Sequence, residues 1–159
     1  MPENYTNISD TISSHEGKAY ITIDGQNREL FEISALTAQI DLTVQERRML
    51  GHRMTQHKVV GATGTGSLTM YFMNSEMLNQ AIKYLRTGNY KGLKLQVKNE
   101  DPQSTVGKQE VVLSNVILSS VPVAILDDSS DDPITFDTDF TFDEIVNLQS
   151  FKLPVNYRF

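Results

Sequence analysis

The carboxylates near the C-terminal end of this chain are the residues best placed to do chemistry. Asp137, Asp139 and Asp143 are two and four residues apart, so in an extended strand their side chains share one face. Paired carboxylates can act as the general acid and base of a hydrolase. Acids that alternate with an apolar face are more often the solvated side of a sheet, and we favour that interpretation. We therefore predict no catalytic residue and no enzymatic activity.

Other candidate sites fail on spacing. The glycine-rich run at residues 61–67 lacks the lysine of a phosphate-binding loop and leads into a strand pattern. His52 and His57 are five residues apart, whereas a helical metal pair needs four, and His15 lies far away in sequence. Residues 127–132 lack the ligand spacing of a calcium loop. With no cysteine, disulfides and cysteine-based zinc sites are excluded, and we predict no cofactor and no metal.

Positive and negative charges are concentrated in two separate segments. Residues 45–60 carry six basic or titratable side chains against one acid, Glu46: Arg47, Arg48, His52, Arg53, His57 and Lys58. No basic residue lies between Lys108 and Lys152, where the acidic residues include Asp127, Asp128, Asp131, Asp132, Asp137, Asp139 and Asp143. Complementary charges on two ends of one subunit favour head-to-tail contacts between copies, which generate rings or open tubes. We predict that the basic segment docks on another subunit, and that the acidic residues receive it or line a lumen.

The bulk properties of the chain also limit its partners. The net charge of −6 argues against general nucleic-acid binding. No apolar run approaches the roughly 18 residues that span a bilayer, so we predict no membrane partner. The absence of cysteine is typical of a protein that folds in a reducing cytoplasm. The length predicts one domain over residues 18–159, with a flexible polar arm at residues 1–17 and a long loop at residues 45–60.

Hydrophobic periodicity predicts a mainly β fold with one helix. Strands are expected near residues 19–24, 28–44, 68–72, 93–97, 109–120 and 134–142. Asp24-Gly25 predicts a tight hairpin turn, and a change of phase between Ala35 and Ala38 predicts a bulge or sharp twist. Residues 75–87 have helical periodicity, with Ser75 and Gly88 as expected caps. We predict a β-rich α+β fold of two packed antiparallel sheets, or a flattened barrel, with one flanking helix.

Several segments, taken in order, resemble one protein family. They are the stretches at residues 16–25, 50–53, 57–58, 61–69 and 99–102, with Ser104 and Gly107, and the strand at residues 136–142. Together they resemble the tail tube proteins of contractile-tailed phages, specifically the family of PBSX-type defective prophages of Gram-positive bacteria. The resemblance covers nearly the whole chain, and it rests on the order and spacing of these segments.

The resemblance implies a structural role. Six subunits would join their sheets into a ring, and rings would stack into a tube inside a contractile sheath. The loop at residues 45–60 would reach the adjacent ring, and the lumen would be acidic. The partners implied are other copies of the chain and the sheath, baseplate and tail terminator proteins, with DNA only as passing cargo. The location implied is the tail of a virion or phage-like particle, assembled in the bacterial cytoplasm.

Two other functions stay open on the residues themselves. One is a β-barrel module that binds a small ligand, and the other is a hydrolase that uses Asp137 and Asp139. Assembly into rings or tubes would distinguish the structural tube protein from both of these functions.

Overall fold

The computed structural model describes residues 5–129 and 131–157, and over these residues the chain forms eight β-strands and one α-helix. The elements are β1 (Gly17–Ile23), β2 (Gln26–Glu29), β3 (Ile33–Arg47), β4 (Gln56–Tyr71), α1 (Glu76–Thr87), β5 (Leu93–Glu100), β6 (Lys108–Leu118), β7 (Thr135–Phe142) and β8 (Glu144–Gln149). All strand pairs are antiparallel, in the order β2-β1-β5-β6-β7-β4-β3 with β8 on β6. The mainly β class with one helix is confirmed. In place of two packed sheets or a flattened barrel, the described strands form one hydrogen-bonded sheet that is not closed.

The chain divides into two compact units. The first contains residues 5–31, 91–116 and 144–157, and the second contains residues 32–90 and 117–143. Strand β6 begins in the first unit and ends in the second.

The first unit is built on strands β1, β2, β5 and β8 with most of β6. Asp24 and Gly25 have φ values of 51° and 81°, which confirms the predicted hairpin turn between β1 and β2. Ile21, Leu95 and Leu113 are its most deeply buried apolar side chains, together with Val116. Strand β8 was not predicted, because its side chains are all exposed and show no clear alternation.

The N-terminal segment is anchored within the first unit. Asp10 is buried, and its Oδ1 accepts hydrogen bonds from the backbone N–H of Thr105 at 3.0 Å and from the Thr105 hydroxyl at 2.6 Å. The backbone N–H of Ser13 donates to Oδ2 of Asp101 at 3.0 Å. The flexible arm was predicted over residues 1–17. Asp10 and Ser13 of that range make these contacts, and residues 1–4 lie outside the described part of the chain.

The second unit is built on strands β3, β4 and β7 with the end of β6. The strand predicted over residues 28–44 is two strands, because the chain leaves β2 at Glu29 and enters β3 at Ile33. Register shifts lie between Ile33 and Ala35 and between Thr43 and Val44. The pairing with β4 is regular from Ala35 to Thr43, so the position predicted for the bulge, between Ala35 and Ala38, is wrong. The long loop predicted at residues 45–60 is mostly strand, since β3 continues to Arg47 and β4 begins at Gln56. Only residues 48–55 connect the two strands.

Two glycines of β4 make room for aromatic rings of β7. Gly64 pairs with Phe142, and Gly66 pairs with Phe140. A Cβ atom on Gly64 would lie 2.5 Å from the Phe142 ring, and one on Gly66 would overlap the Phe140 ring. The glycine-rich run therefore has a packing role, since Phe140 and Phe142 are both buried.

Helix α1 begins and ends close to the predicted residues. Gly88 has φ 72°, and its N–H donates to the carbonyl of Tyr84 at 2.7 Å, which confirms the predicted left-handed cap. Ser75 occupies the N-cap position without a side-chain hydrogen bond to the helix. Oδ1 of Asn74 accepts from the N–H of Glu76 at 3.3 Å. Among the described residues, no helix is long and apolar enough to span a bilayer.

Candidate assembly surfaces

The hairpin of β3 and β4 extends beyond the strand that supports it. Strand β7 pairs with β4 from Gly64 to Tyr71, whereas β4 from Gln56 to Gly61 pairs with β3. We call residues 40–63 the arm, and every one of them is exposed. A two-stranded ribbon is at best marginally stable in water, because it has no layer to pack against. The arm is therefore a surface that favours a partner.

The six predicted docking residues are brought together at the end of the arm. Arg47 ends β3, while Arg48, His52 and Arg53 lie in the connection, and His57 and Lys58 begin β4. Nε2 of His57 lies 3.4 Å from Oε1 of Glu46, its cross-strand partner. Both side chains are exposed, so this pair adds little to stability.

The same hairpin, together with β7, presents one polar face. Alternation and register place these side chains on it: Thr37, Gln39, Asp41, Thr63, Thr65, Ser67, Thr69, Asp137, Asp139 and Thr141. None of them is basic or apolar. The opposite face of the same strands carries Leu68, Met70 and Phe140, which are buried. The sheet is thus amphipathic, and its polar face is acidic.

Hydrogen bonds hold two of the carboxylates of this polar face, those of Asp41 and Asp137. The hydroxyl of Thr69 donates to Oδ1 of Asp137 at 2.5 Å, and the hydroxyl of Thr65 donates to Oδ2 of Asp41 at 3.1 Å. The amide of Gln39 donates to Oδ1 of Asp41 at 3.1 Å. A shallow depression of about 390 Å³ beside Asp139 is lined mainly by hydroxyl and amide groups. Asp41 was missed from the sequence, although its alternation with Ile40 and Leu42 was a usable signal.

The remaining acidic residues lie outside the strands. Asp127, Asp128, Asp131 and Asp132 precede β7 and are exposed, and Asp143 follows it directly. The hydroxyl of Ser129 donates to Oδ1 of Asp127 at 2.5 Å, and the Ser129 N–H donates to the same oxygen at 2.9 Å. These two bonds lower the pKa of Asp127 below its usual 3.8. The structure thus separates the acidic residues into a sheet face and a loop.

The arm also carries apolar side chains that were not predicted to have a function. Ile40, Leu42 and Val44 alternate along β3, and Val44 pairs with Val59 of β4 next to Val60. Their side chains are between 47% and 60% exposed. A contiguous apolar strip of this kind is typical of a surface that a partner covers.

The described residues contain no cluster of three or more histidine, aspartate or glutamate side chains that could hold a metal ion. His52 and His57 lie on the arm with exposed side chains. The geometry of Asp137 and Asp139 is that of an open polar sheet face, without an enclosing cleft.

Comparisons with known proteins agree with this architecture. Residues 4–148 match the phage tail tube protein family. Over 134 residues the chain is 32% identical to the phage-like element PBSX protein XkdM of Bacillus subtilis (strain 168), covering 84% of this chain and 88% of that protein. It is equally similar, with the same coverage, to YqbM of the same strain.

Solved structures share the fold at low identity. A chain in the anti-feeding prophage baseplate matches with a TM-score of 0.65 and 16% identity, covering 87% of this chain and 95% of that one. A chain in the extended sheath-tube complex of the PVC extracellular contractile injection system matches with a TM-score of 0.67 and 12% identity, covering 90% and 94%. The resemblance noted in the sequence is confirmed: the chain belongs to the phage tail tube family.

Proposed function

We propose that this chain is a non-enzymatic structural subunit that assembles into stacked rings of six, which form the inner tube of a contractile tail. The observation that carries the proposal is the β3–β4 hairpin. With β7 the hairpin presents an acidic polar face, and every residue of its arm is exposed. Such a hairpin needs neighbours to cover it, and identical neighbours joined head to tail generate rings and tubes.

The polar face of β3, β4 and β7 is proposed to line the lumen. Its carboxylates, Asp41, Asp137 and Asp139, would repel the phosphates of DNA that passes through as cargo. Its small hydroxyl side chains would offer DNA neither positive charge nor aromatic surfaces for stacking. On the opposite face, Leu68, Met70 and Phe140 are already buried.

The free edge of β3 supports lateral joining. Within the described part of the chain, β3 pairs with β4 on one side and ends the strand order. An unpaired edge of 15 residues is a template for a strand of another chain. We propose that this edge joins the sheet of a neighbouring subunit within the ring.

We propose that the basic end of the arm docks on the adjacent ring. Its residues are the six predicted for this role: Arg47, Arg48, His52, Arg53, His57 and Lys58. The sheath, baseplate and terminator proteins are the further partners proposed. Matched solved chains come from structures described as a baseplate, a sheath-tube complex and a tube-terminating cap. A ligand-binding β-barrel needs a sheet closed around a cavity, and the eight described strands form an open sheet.

Electron microscopy and light scattering of the purified chain at rising concentration test this proposal. Rings or tubes of uniform diameter are expected, with sixfold symmetry in class averages. A strictly monomeric protein at every concentration and salt condition would overturn it.

Charge reversal tests the role of the arm. The variant R47E/R48E/R53E should fold but fail to stack. The variant K83E/R86E/K91E makes the same change in net charge at exposed positions on or just after α1, and should still form tubes. Normal tubes from the first variant would show that the arm is not the docking element.

A further inference from the structure

The arm has a two-part surface. Its apolar strip (Ile40, Leu42, Val44, Val59 and Val60) leads directly into its basic end, since Val44 precedes Arg47 by three residues. Three residues of strand span about 10 Å. A partner of this surface should therefore carry apolar side chains followed closely by acidic ones.

One segment of the chain has that composition. Residues 123–128 lie in no strand or helix, between β6 and β7. Val123 is 77% exposed and Leu126 is 99% exposed, and Asp127 and Asp128 follow at once. A leucine with nearly its whole side chain in water gains nothing from packing in its own chain, so its burial by a partner would stabilise the contact.

The residues before the segment and its acidic end make local contacts. Val121 and Pro122, which precede it, line a small crevice of about 50 Å³ with Phe72 and Met77. At the other end the two hydrogen bonds from Ser129 hold the Asp127 carboxylate and favour its charged form. Val123 also lines this crevice, yet it and Leu126 stay mostly exposed to solvent.

We propose that the arm of one subunit docks on residues 123–128 of a second copy, with Leu126 and Val123 against the apolar strip and Asp127 and Asp128 against Arg47 and Arg48. This inference rests on the proposed function, and it names the surface that receives the arm. A second copy is the occupant that the charges favour, because each chain carries one arm and one segment of opposite charge. In a stack, every arm except those at one end can then bind a segment of another copy, so the contact can repeat without limit.

Reversing both sides of the contact tests the pairing. R47E/R48E and D127K/D128K should each raise the protein concentration needed for tube formation by roughly tenfold or more, because like charges then face each other. The variant R47E/R48E/D127K/D128K restores opposite charges at every contact and should form tubes close to the wild-type concentration. Reversal of Lys83 and Arg86 together with Asp127 and Asp128 makes the same net change and should give no rescue.

The outcomes separate the two proposals. If R47E/R48E blocks assembly and the fourfold variant does not restore it, the arm docks elsewhere and this inference is overturned, while the tube function stands. If wild-type protein forms no ring or tube, the tube function fails instead.

Cross-linking tests the contact directly, and the chain offers a cysteine-free background for it. A mixture of V44C and L126C proteins, treated with a short bis-maleimide, should yield a covalent dimer. The mixture of L85C with L126C is the control, because Leu85 is 79% exposed on α1 and away from the arm in sequence. Equal yields from the two mixtures would overturn the proposed contact.

Discussion

Gly66 lies directly opposite Phe140 in the β4–β7 ladder, and the aromatic ring occupies the space that a side chain on Gly66 would need. The carbonyl oxygen of Thr37 closes the same space from β3, at 2.5 Å from where a Cβ would stand. Phe140 is 1% exposed, so its ring is closely surrounded by the rest of the chain. The glycine is therefore part of the core of the second unit.

Gly66→Ala should destabilise the protein by about 1–3 kcal/mol, because the added methyl group forces the Phe140 ring or the backbone to shift. Urea or thermal unfolding measures this change. Gly61→Ala is the matched control from the same run, since its Cβ would meet only Thr43, at 3.9 Å. The control should be neutral or slightly more stable. Equal losses in the two variants would contradict the packing role of Phe140.

Asp10→Ala should loosen the N-terminal segment. The substitution removes the acceptor of the N–H and hydroxyl of Thr105, which are part-buried, and should cost about 1–3 kcal/mol. Denaturation curves give the loss, and limited proteolysis should show faster cleavage near residue 10. Ser9→Ala changes an exposed neighbour and should alter stability by less than about 0.5 kcal/mol. Unchanged proteolysis of the Asp10 variant would mean that other contacts hold the segment.

Stability should fall at alkaline pH through Tyr90. Burial raises the pKa of its phenol above the usual 10.0, and a backbone hydrogen bond with Leu118 opposes this in part. The folded state therefore holds the proton more tightly than the unfolded state. The stabilisation of the folded state by the protonated phenol is complete below pH 10, and it is lost as the pH rises through the pKa of Tyr90 in the folded state.

Unfolding of the Tyr90→Phe variant between pH 9 and 12 tests this dependence. The variant should lose less stability over this range than the wild type, whatever its stability at neutral pH. Tyr84→Phe changes its exposed aromatic neighbour, at a ring distance of 6.3 Å, and serves as the control for ring contacts. A Tyr90 variant with the wild-type profile would assign the alkaline loss to another group.

The charge of the polar face should decide whether a tube retains DNA. D41K/D137K/D139K replaces three carboxylates with three ammonium groups on each subunit, and its tubes should protect short duplex DNA from nuclease. The protection should fall steeply with salt, because phosphate contacts release counterions. D41N/D137N/D139N is the neutral control, and its tubes should protect little DNA. Protection by wild-type tubes would contradict an acidic lumen.

Local sequence was enough to predict the β-rich class, the turn at Asp24-Gly25, helix α1 and the opposite charges of the two segments. These features depend on local chemistry. A left-handed turn needs glycine or a small polar residue, and the apolar periodicity of a helix is visible within about a dozen consecutive residues. The family resemblance could also be identified from the sequence, because it depends on the order of motifs along the chain.

Other features depend on pairing between distant segments, and they are seen only in the three-dimensional structure. It extended β3 and β4 through most of the predicted loop at residues 45–60, because cross-strand hydrogen bonds make strands of residues that have no clear period. It joined Asp41 to Asp137 and Asp139 on one face across about a hundred residues of sequence, through the register of β4 with both neighbours. It also explained the glycine run at residues 61–67, since only the placement of Phe140 and Phe142 shows why side chains are excluded there.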